Sequence, residues 1–157
     1  GATRLDTTIC DAAAYAALRV TMHRPVGTDP EDFAHAKLIL VWGANLLSSN
    51  MHQWHFIHAA QQNGAHVVAI DPLPTDTAER CDQHLQLLPG TDAALAMGLM
   101  GELHAAGACD EEWLAECAVG WPELRERLAD WNAEDGGQGQ FSDWLVYDHE
   151  NRFNRAG

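Results

Sequence analysis

The stretch from Lys37 to Asp92 constrains the fold more than any other part of the chain. It contains Lys37-Leu-Ile-Leu-Val-Trp-Gly-Ala-Asn45, then His66-Val-Val-Ala-Ile-Asp-Pro-Leu-Pro-Thr75, then Leu88-Pro-Gly-Thr-Asp92. Each piece is a short apolar run that closes on small or polar residues. Runs of this kind read as buried parallel strands, and the residues after them as loops at the carboxyl edge of a sheet. That edge is where open α/β sheets bind nucleotides.

Leu38 to Trp42 therefore predicts a first strand, Val67 to Ile70 a second and His84 to Leu88 a third, the last with weaker alternation. Asn45 to Asn50 reads as a polar loop. Met51 to Asn63 carries Trp54, Ile57 and Ala60 at helical spacing, with Phe56 beside them and Gly64 suited to ending the helix. Strand, helix and strand in this length make a βαβ unit. Upstream, the Ala-rich run from Cys10 to Arg19 predicts a helix, and Asp29-Pro30 caps and opens a short one that ends near Ala36. Downstream, Thr75 to Cys81 predicts a short helix capped by Thr75 or Asp76, and Thr91 to about Ala106 a long one. Asp110 to Cys117 and Pro122 to Asn132 add two amphipathic helices, and Trp113, Trp121, Trp131 and Trp144 are expected in the core. The fold expected is α/β: a Rossmann-like three-layer domain over residues 1–132, with a mostly parallel sheet and extra C-terminal helices. Residues 133–157 read as a Gly-rich linker and a tail without clear period.

Composition limits the partners. With 46% hydrophobic residues in 157, the chain is long and apolar enough for a real core. A net charge of −14 with a single lysine repels phosphodiester backbones and anionic lipid, so no nucleic-acid partner and no membrane contact are expected. A phosphate ligand must instead be held by backbone amides, helix N-termini and hydroxyls. There is no signal-like start and no membrane-length apolar run, so a cytoplasmic location is expected, with the periplasm left open. The chain opens on Gly1-Ala2-Thr3 rather than Met, which reads as a piece cut from something longer. The four cysteines are scattered without a CxxC pair and read as reduced thiols.

The three strand-end loops are the first candidates for chemistry. Gly43-Ala44-Asn45 lets a ligand approach the backbone closely. Asp71 ends the second strand, where α/β folds place a carboxylate against a ribose or base. Gly90-Thr91-Asp92 opens a helix whose amides can hold an anion. Taken singly, each is also an ordinary tight turn with capping residues; three on one sheet edge favour a nucleotide site. His52, His55 and His58 drift round a helix axis rather than converging on a metal, and His52, nearest the first loop, is the one placed to touch a ligand. Cys10, ahead of an Ala-rich helix, is either a thiolate nucleophile or metal ligand, or a structural cysteine.

Together the Lys37–Leu46, Asn63–Ala78 and Asp82–Ala96 segments resemble the molybdopterin oxidoreductases, the enzymes with bis(molybdopterin guanine dinucleotide) that include formate dehydrogenases, nitrate reductases and dimethyl sulfoxide reductases. The resemblance extends from about Arg4 to about Trp131. It implies that Gly43, Ala44 and Asn45 line the pyrophosphate or ribose of one dinucleotide, that Asp71 and Thr75 lie near its guanosine, and that Gly90, Thr91 and Asp92 hold its guanine end. It implies that Cys10 ligates molybdenum (or tungsten), with Asp11 standing where formate-oxidising members carry histidine. The family's cysteine-rich iron–sulfur segment and later domains are not in this chain. A fragment of a molybdenum oxidoreductase is therefore expected, with the remaining domains or electron-transfer subunits as partners. A non-catalytic nucleotide- or pterin-binding module and an inactive remnant are the alternatives.

Overall fold

The apolar runs pair as a three-stranded parallel sheet in the order β1 (Leu38–Trp42), β2 (His66–Ile70), β3 (Gln83–Leu85). The structure is a computed structural model that describes residues 3–4, 8–24 and 27–134, the side chains of residues 9–10 and 130–134 excepted. Central β2 is buried from Val67 to Ile70, so both of its faces are covered. Edge strand β1 is not: Ile39 and Val41 point into the core, while Leu38 and Leu40 remain 58% and 46% exposed. A strand buried on both faces was expected there. The apolar run is present, but on its second face only Trp42, at the end of the strand, is half-buried against the core. The third strand is shorter than the His84–Leu88 run predicts, although Leu87 beyond it is still fully buried.

Helices cover the two faces of β2. On one face α3 (Met51–Gln62) places Trp54, Ile57 and Ala60 against Ile39, Val41 and Val67, with Phe33 of the 3-10 helix Pro30–His35 packed alongside. The spacing expected for this helix is the spacing that is buried, and each large apolar side chain there contributes roughly 1.5–3 kcal/mol. On the other face α5 (Asp92–Ala105) sets Leu95 against Val68, Ile70 and Leu87. The fold is thus the layered parallel α/β arrangement expected.

Several local expectations need correction. Asn45 to Asn50 is not a plain loop: Leu46–Ser49 form a one-turn helix, α2, which drives Leu46 into the core. Asn50, at φ −151°, then breaks the chain direction before α3. The helix after Thr75 is a single turn, α4 (Asp76–Glu79), capped by Thr75 as one of the two options required. Asp29 caps the 3-10 helix by accepting from the Glu31 amide at 3.1 Å. At the C-terminal side, α7 (Trp121–Glu134) packs beside α5, and α6 (Glu111–Cys117) packs on α7. Trp121 and Leu128 are buried, but Trp113 is 58% exposed rather than in the core, because α6 turns only Leu114 inward far enough to be half-buried. The Trp131 side chain and Trp144 lie outside the described residues. The first helix, α1 (Ile9–Met22), is longer than expected and solvent-exposed along nearly its whole surface, with Val20 81% exposed.

Asp82 ties the start of β2 to α3. Its Oδ2 accepts from the Val67 amide at 2.7 Å and its Oδ1 from Gln61 Nε2 at 3.0 Å. The Val67 amide first, then Gln61, hold its carboxyl below the usual range. A lowered native pKa gives stability that is complete above the unfolded-state value of about 4 and lost as pH falls through the native value. Asp82→Asn should therefore lower Tm at neutral pH, and the gap to the parent should close below about pH 4. Thermal melts across that range check this; an offset constant with pH would mean the carboxylate charge contributes nothing.

Candidate functional site

Because the strands are parallel and in register at Trp42, Ile70 and Leu85, the loops that follow them leave one sheet edge. In the first loop Gly43 sits at φ +59°, a conformation that disfavours any side chain. Its N–H donates to the Ile70 carbonyl at 2.8 Å, so this amide extends the sheet ladder and is already engaged. Ala44 packs on the core cluster beneath it. Asn45 is held from a distance in sequence: buried Thr77, 1% exposed, donates its hydroxyl to Asn45 Oδ1 at 2.8 Å and accepts from the Leu47 amide at 3.1 Å. With the carbonyl branch held in this way, the amide NH2 is the donor that Asn45 has left to offer.

The second loop is fastened to β3. The Asp71 amide donates to Leu85 O at 3.2 Å, and Asp71 O accepts from His84 Nε2 at 2.9 Å, so that ring nitrogen carries the proton. Gln86 Nε2 donates to Pro72 O at 2.9 Å. The Asp71 carboxylate turns back on its own loop, with Oδ1 accepting from the Leu73 amide at 2.8 Å. Thr75 uses its oxygen as the α4 cap, accepting from Ala78 N at 3.2 Å, which leaves its hydroxyl proton able to donate.

The third loop joins the first. Trp42 Nε1, at the end of β1, donates to Asp92 Oδ1 at 2.7 Å. Thr91 turns both its amide and its hydroxyl onto the Leu88 carbonyl, at 3.2 and 2.7 Å, and Gly90 reaches φ +87° to make the turn. Thr91 occupies the N-cap position of α5 yet makes no side-chain cap bond to it. The 14-residue helix therefore presents its positive end, with its first amides uncapped by Thr91, next to the Asp92 carboxylate. Such an edge can accept an anionic group at the helix end and a donor-rich base at the carboxylate.

The remaining candidates are more dispersed. His52 is exposed near the start of α3; His58 stacks on Trp54 and His55 meets Phe56 edge-on. Among the described residues no three His, Cys, Asp or Glu side chains gather as a metal site. Cys10 lies in the first turn of α1, and its side chain is outside the described residues. Cys81, Cys109 and Cys117 are free thiols, and burial followed by the charge of Asp82 pushes Cys81 up to about 11, which keeps it protonated. Trp42, Thr77, His84 and Gln86 were not among the expected site residues. A strand-ending tryptophan carries a visible hint, since its indole N–H needs a partner; nothing local marks Thr77.

A parallel βαβ sheet with turn-built loops along its carboxyl edge defines this as a layered α/β domain. Residues 7–127 match the family described as Molybdopterin oxidoreductase, and the chain belongs to that family. It is 39% identical over 134 residues to "Probable oxidoreductase YoaE" of Bacillus subtilis, a match covering 85% of this chain and 20% of that protein. It is 33% identical over 120 residues to the "Assimilatory nitrate reductase catalytic subunit" of Bacillus subtilis, covering 75% of this chain and 17% of the relative. Among solved structures, "Acetylene Hydratase from Pelobacter acetylenicus" superposes with a TM-score of 0.69 at 30% identity, over 80% of this chain and 17% of the other. The chain thus spans about a fifth of the length of these relatives.

Proposed function

We propose that this chain is the part of a molybdopterin enzyme that holds one molybdopterin guanine dinucleotide of a bis(molybdopterin guanine dinucleotide) cofactor. The observation that carries this reading is the Trp42–Asp92 hydrogen bond, which joins the first and third loops beside the uncapped start of α5. Asp92 accepts from the guanine N–H groups through the oxygen Trp42 leaves open. The turn at Gly90 and Thr91 seats the base. Asp71 and Thr75 lie along the guanosine. At the first loop, Gly43 and Ala44 contribute bareness and Asn45 contributes its amide NH2 to the ribose or pyrophosphate, with His52 close behind. The family membership supports the same assignment.

The bound group supplies a molybdenum or tungsten centre for two-electron chemistry. Cys10 is the residue proposed to ligate that metal; Asp11 after it leaves the substrate open. The remaining domains, including an iron–sulfur segment, belong to the rest of the enzyme, consistent with the share of the relatives that this chain spans. That same share favours one second reading, a nucleotide- or pterin-binding module without catalysis of its own. No helix among the described residues is long and apolar enough to cross a membrane; a cytoplasmic location remains the proposal.

Guanosine diphosphate is the direct probe of the dinucleotide end. A native-state ligand at about 100 times its Kd stabilises a fold by about 2.7 kcal/mol. Titration should raise Tm for the chain, and Asp92→Asn should abolish the rise, since an amide replaces one acceptor by a donor while Oδ1 can still meet Trp42. An unchanged Tm in the parent chain rejects the assignment of these loops.

A further inference from the structure

The second loop is fastened by its carbonyls rather than its amides. Asp71-Pro-Leu-Pro-Thr75 carries two prolines, which have no N–H to give and push Asp71 and Leu73 toward extended backbone. Three successive carbonyls are held instead. Asp71 O accepts from His84 Nε2 at 2.9 Å, Pro72 O from Gln86 Nε2 at 2.9 Å and Leu73 O from the Thr75 amide at 2.9 Å. His84 and Gln86 can serve neighbouring carbonyls because they lie two apart along β3 and its continuation, and so share a side. Leu85 and Leu87, on the other side, pack with Val68 and Ile70 and fix the strand beneath them.

Asp71 is the residue this clamp immobilises most. Its amide continues the ladder to β3, donating to Leu85 O at 3.2 Å, and its carbonyl is held by His84. Both peptide groups that flank its Cα are therefore tied to one strand. Its carboxylate accepts from the Leu73 amide through Oδ1 at 2.8 Å, and among the described residues no hydrogen bond reaches Oδ2. Asp71 is only half-buried, which leaves that oxygen within reach of a ligand. A carboxylate at this place in an α/β sheet accepts from ribose hydroxyls. Such a bond is charge-assisted and gains from a fixed acceptor, so whatever fixes the Asp71 peptide acts on the ribose through it.

On the reading of this edge as a guanosine site, we propose that His84 is a positioning residue: by holding the Asp71 carbonyl it fixes the peptide from which the Asp71 carboxylate reaches the ribose hydroxyls, and the second loop thereby selects a ribonucleotide over its deoxy counterpart. The test is calorimetric titration of the full chain with guanosine diphosphate and with dideoxyguanosine diphosphate, which lacks both ribose hydroxyls. The parent should prefer the ribonucleotide by about tenfold or more, the scale of one hydrogen bond to a charged group. Asp71→Ala should erase that preference. His84→Leu should lose most of it, and His84→Gln, whose side-chain amide brings a donor to the place of Nε2, should restore it. Circular dichroism screens each variant for folding; if His84→Leu does not fold, His84→Asn, whose side chain stops short of the Asp71 carbonyl, takes its place. A preference that survives Asp71→Ala or the His84 substitution would overturn the proposal, as would a glutamine variant no better than the leucine one. Equal loss of affinity for the two nucleotides leaves the preference intact and makes His84 a support of the fold alone. A parent that binds both nucleotides equally overturns the role of His84 and leaves the guanine assignment standing; a parent that binds neither rejects both.

Discussion

Truncating Ile70 to alanine should cost about 2–5 kcal/mol, the range for buried isoleucine or leucine truncation. For a domain whose total stability is about 5–15 kcal/mol, that is a large share. Ile70 is 1% exposed and sits at the crossing of everything the site depends on. Its side chain packs with Val68, Leu87 and Leu95, and Trp42 and Leu85 close around the same cluster. Its carbonyl receives the Gly43 amide. A cavity there loosens the platform under both the first loop and the Trp42–Asp92 bond. Urea unfolding should show a lower midpoint with an unchanged slope. Leu40→Ala, on the neighbouring strand, is the control: at 46% exposure it should cost far less. Equal costs at the two positions would mean that the second face of β1 is covered in solution.

The second large effect is expected at Thr77. Thr77→Val keeps the volume and removes the hydroxyl, which leaves the Leu47 amide and the Asn45 carbonyl without their partner. An unsatisfied buried donor or acceptor costs about 1–3 kcal/mol. Thr77→Ser restores the hydroxyl and should recover most of that loss. The same pair separates a structural role from a positioning one. If Thr77 orients Asn45 for the ligand, the valine variant should bind guanosine diphosphate more weakly than the serine variant even at temperatures where both are folded. Equal binding would confine Thr77 to supporting the fold.

Most of the sheet was legible because its signals are local. The strands announced themselves as apolar runs ending in Gly, Asp or Pro, and α3 as Trp54, Ile57 and Ala60 at helical spacing. Asp29 and Thr75 were readable as caps because a cap contacts residues two or three positions away. Leu46 was missed since a four-residue helix has too few residues to display a period, and its burial depends on what lies across the core. Trp113 misled for a related reason: amphipathic spacing marks an inward face only when another element is there to receive it.

The sequence by itself determined the family, the parallel α/β layering and the three turn-built loops, since each rests on residues adjacent or a helical turn apart. The tertiary structure alone decided how those loops are held. Trp42 and Asp92 are 50 residues apart, Thr77 and Asn45 32, and their bonds exist only because parallel pairing brings the strand ends to one edge. Which donor meets which acceptor at that edge, and that Leu38 and Leu40 of β1 stay exposed, follow from the packing of whole elements, and no local pattern encodes that packing.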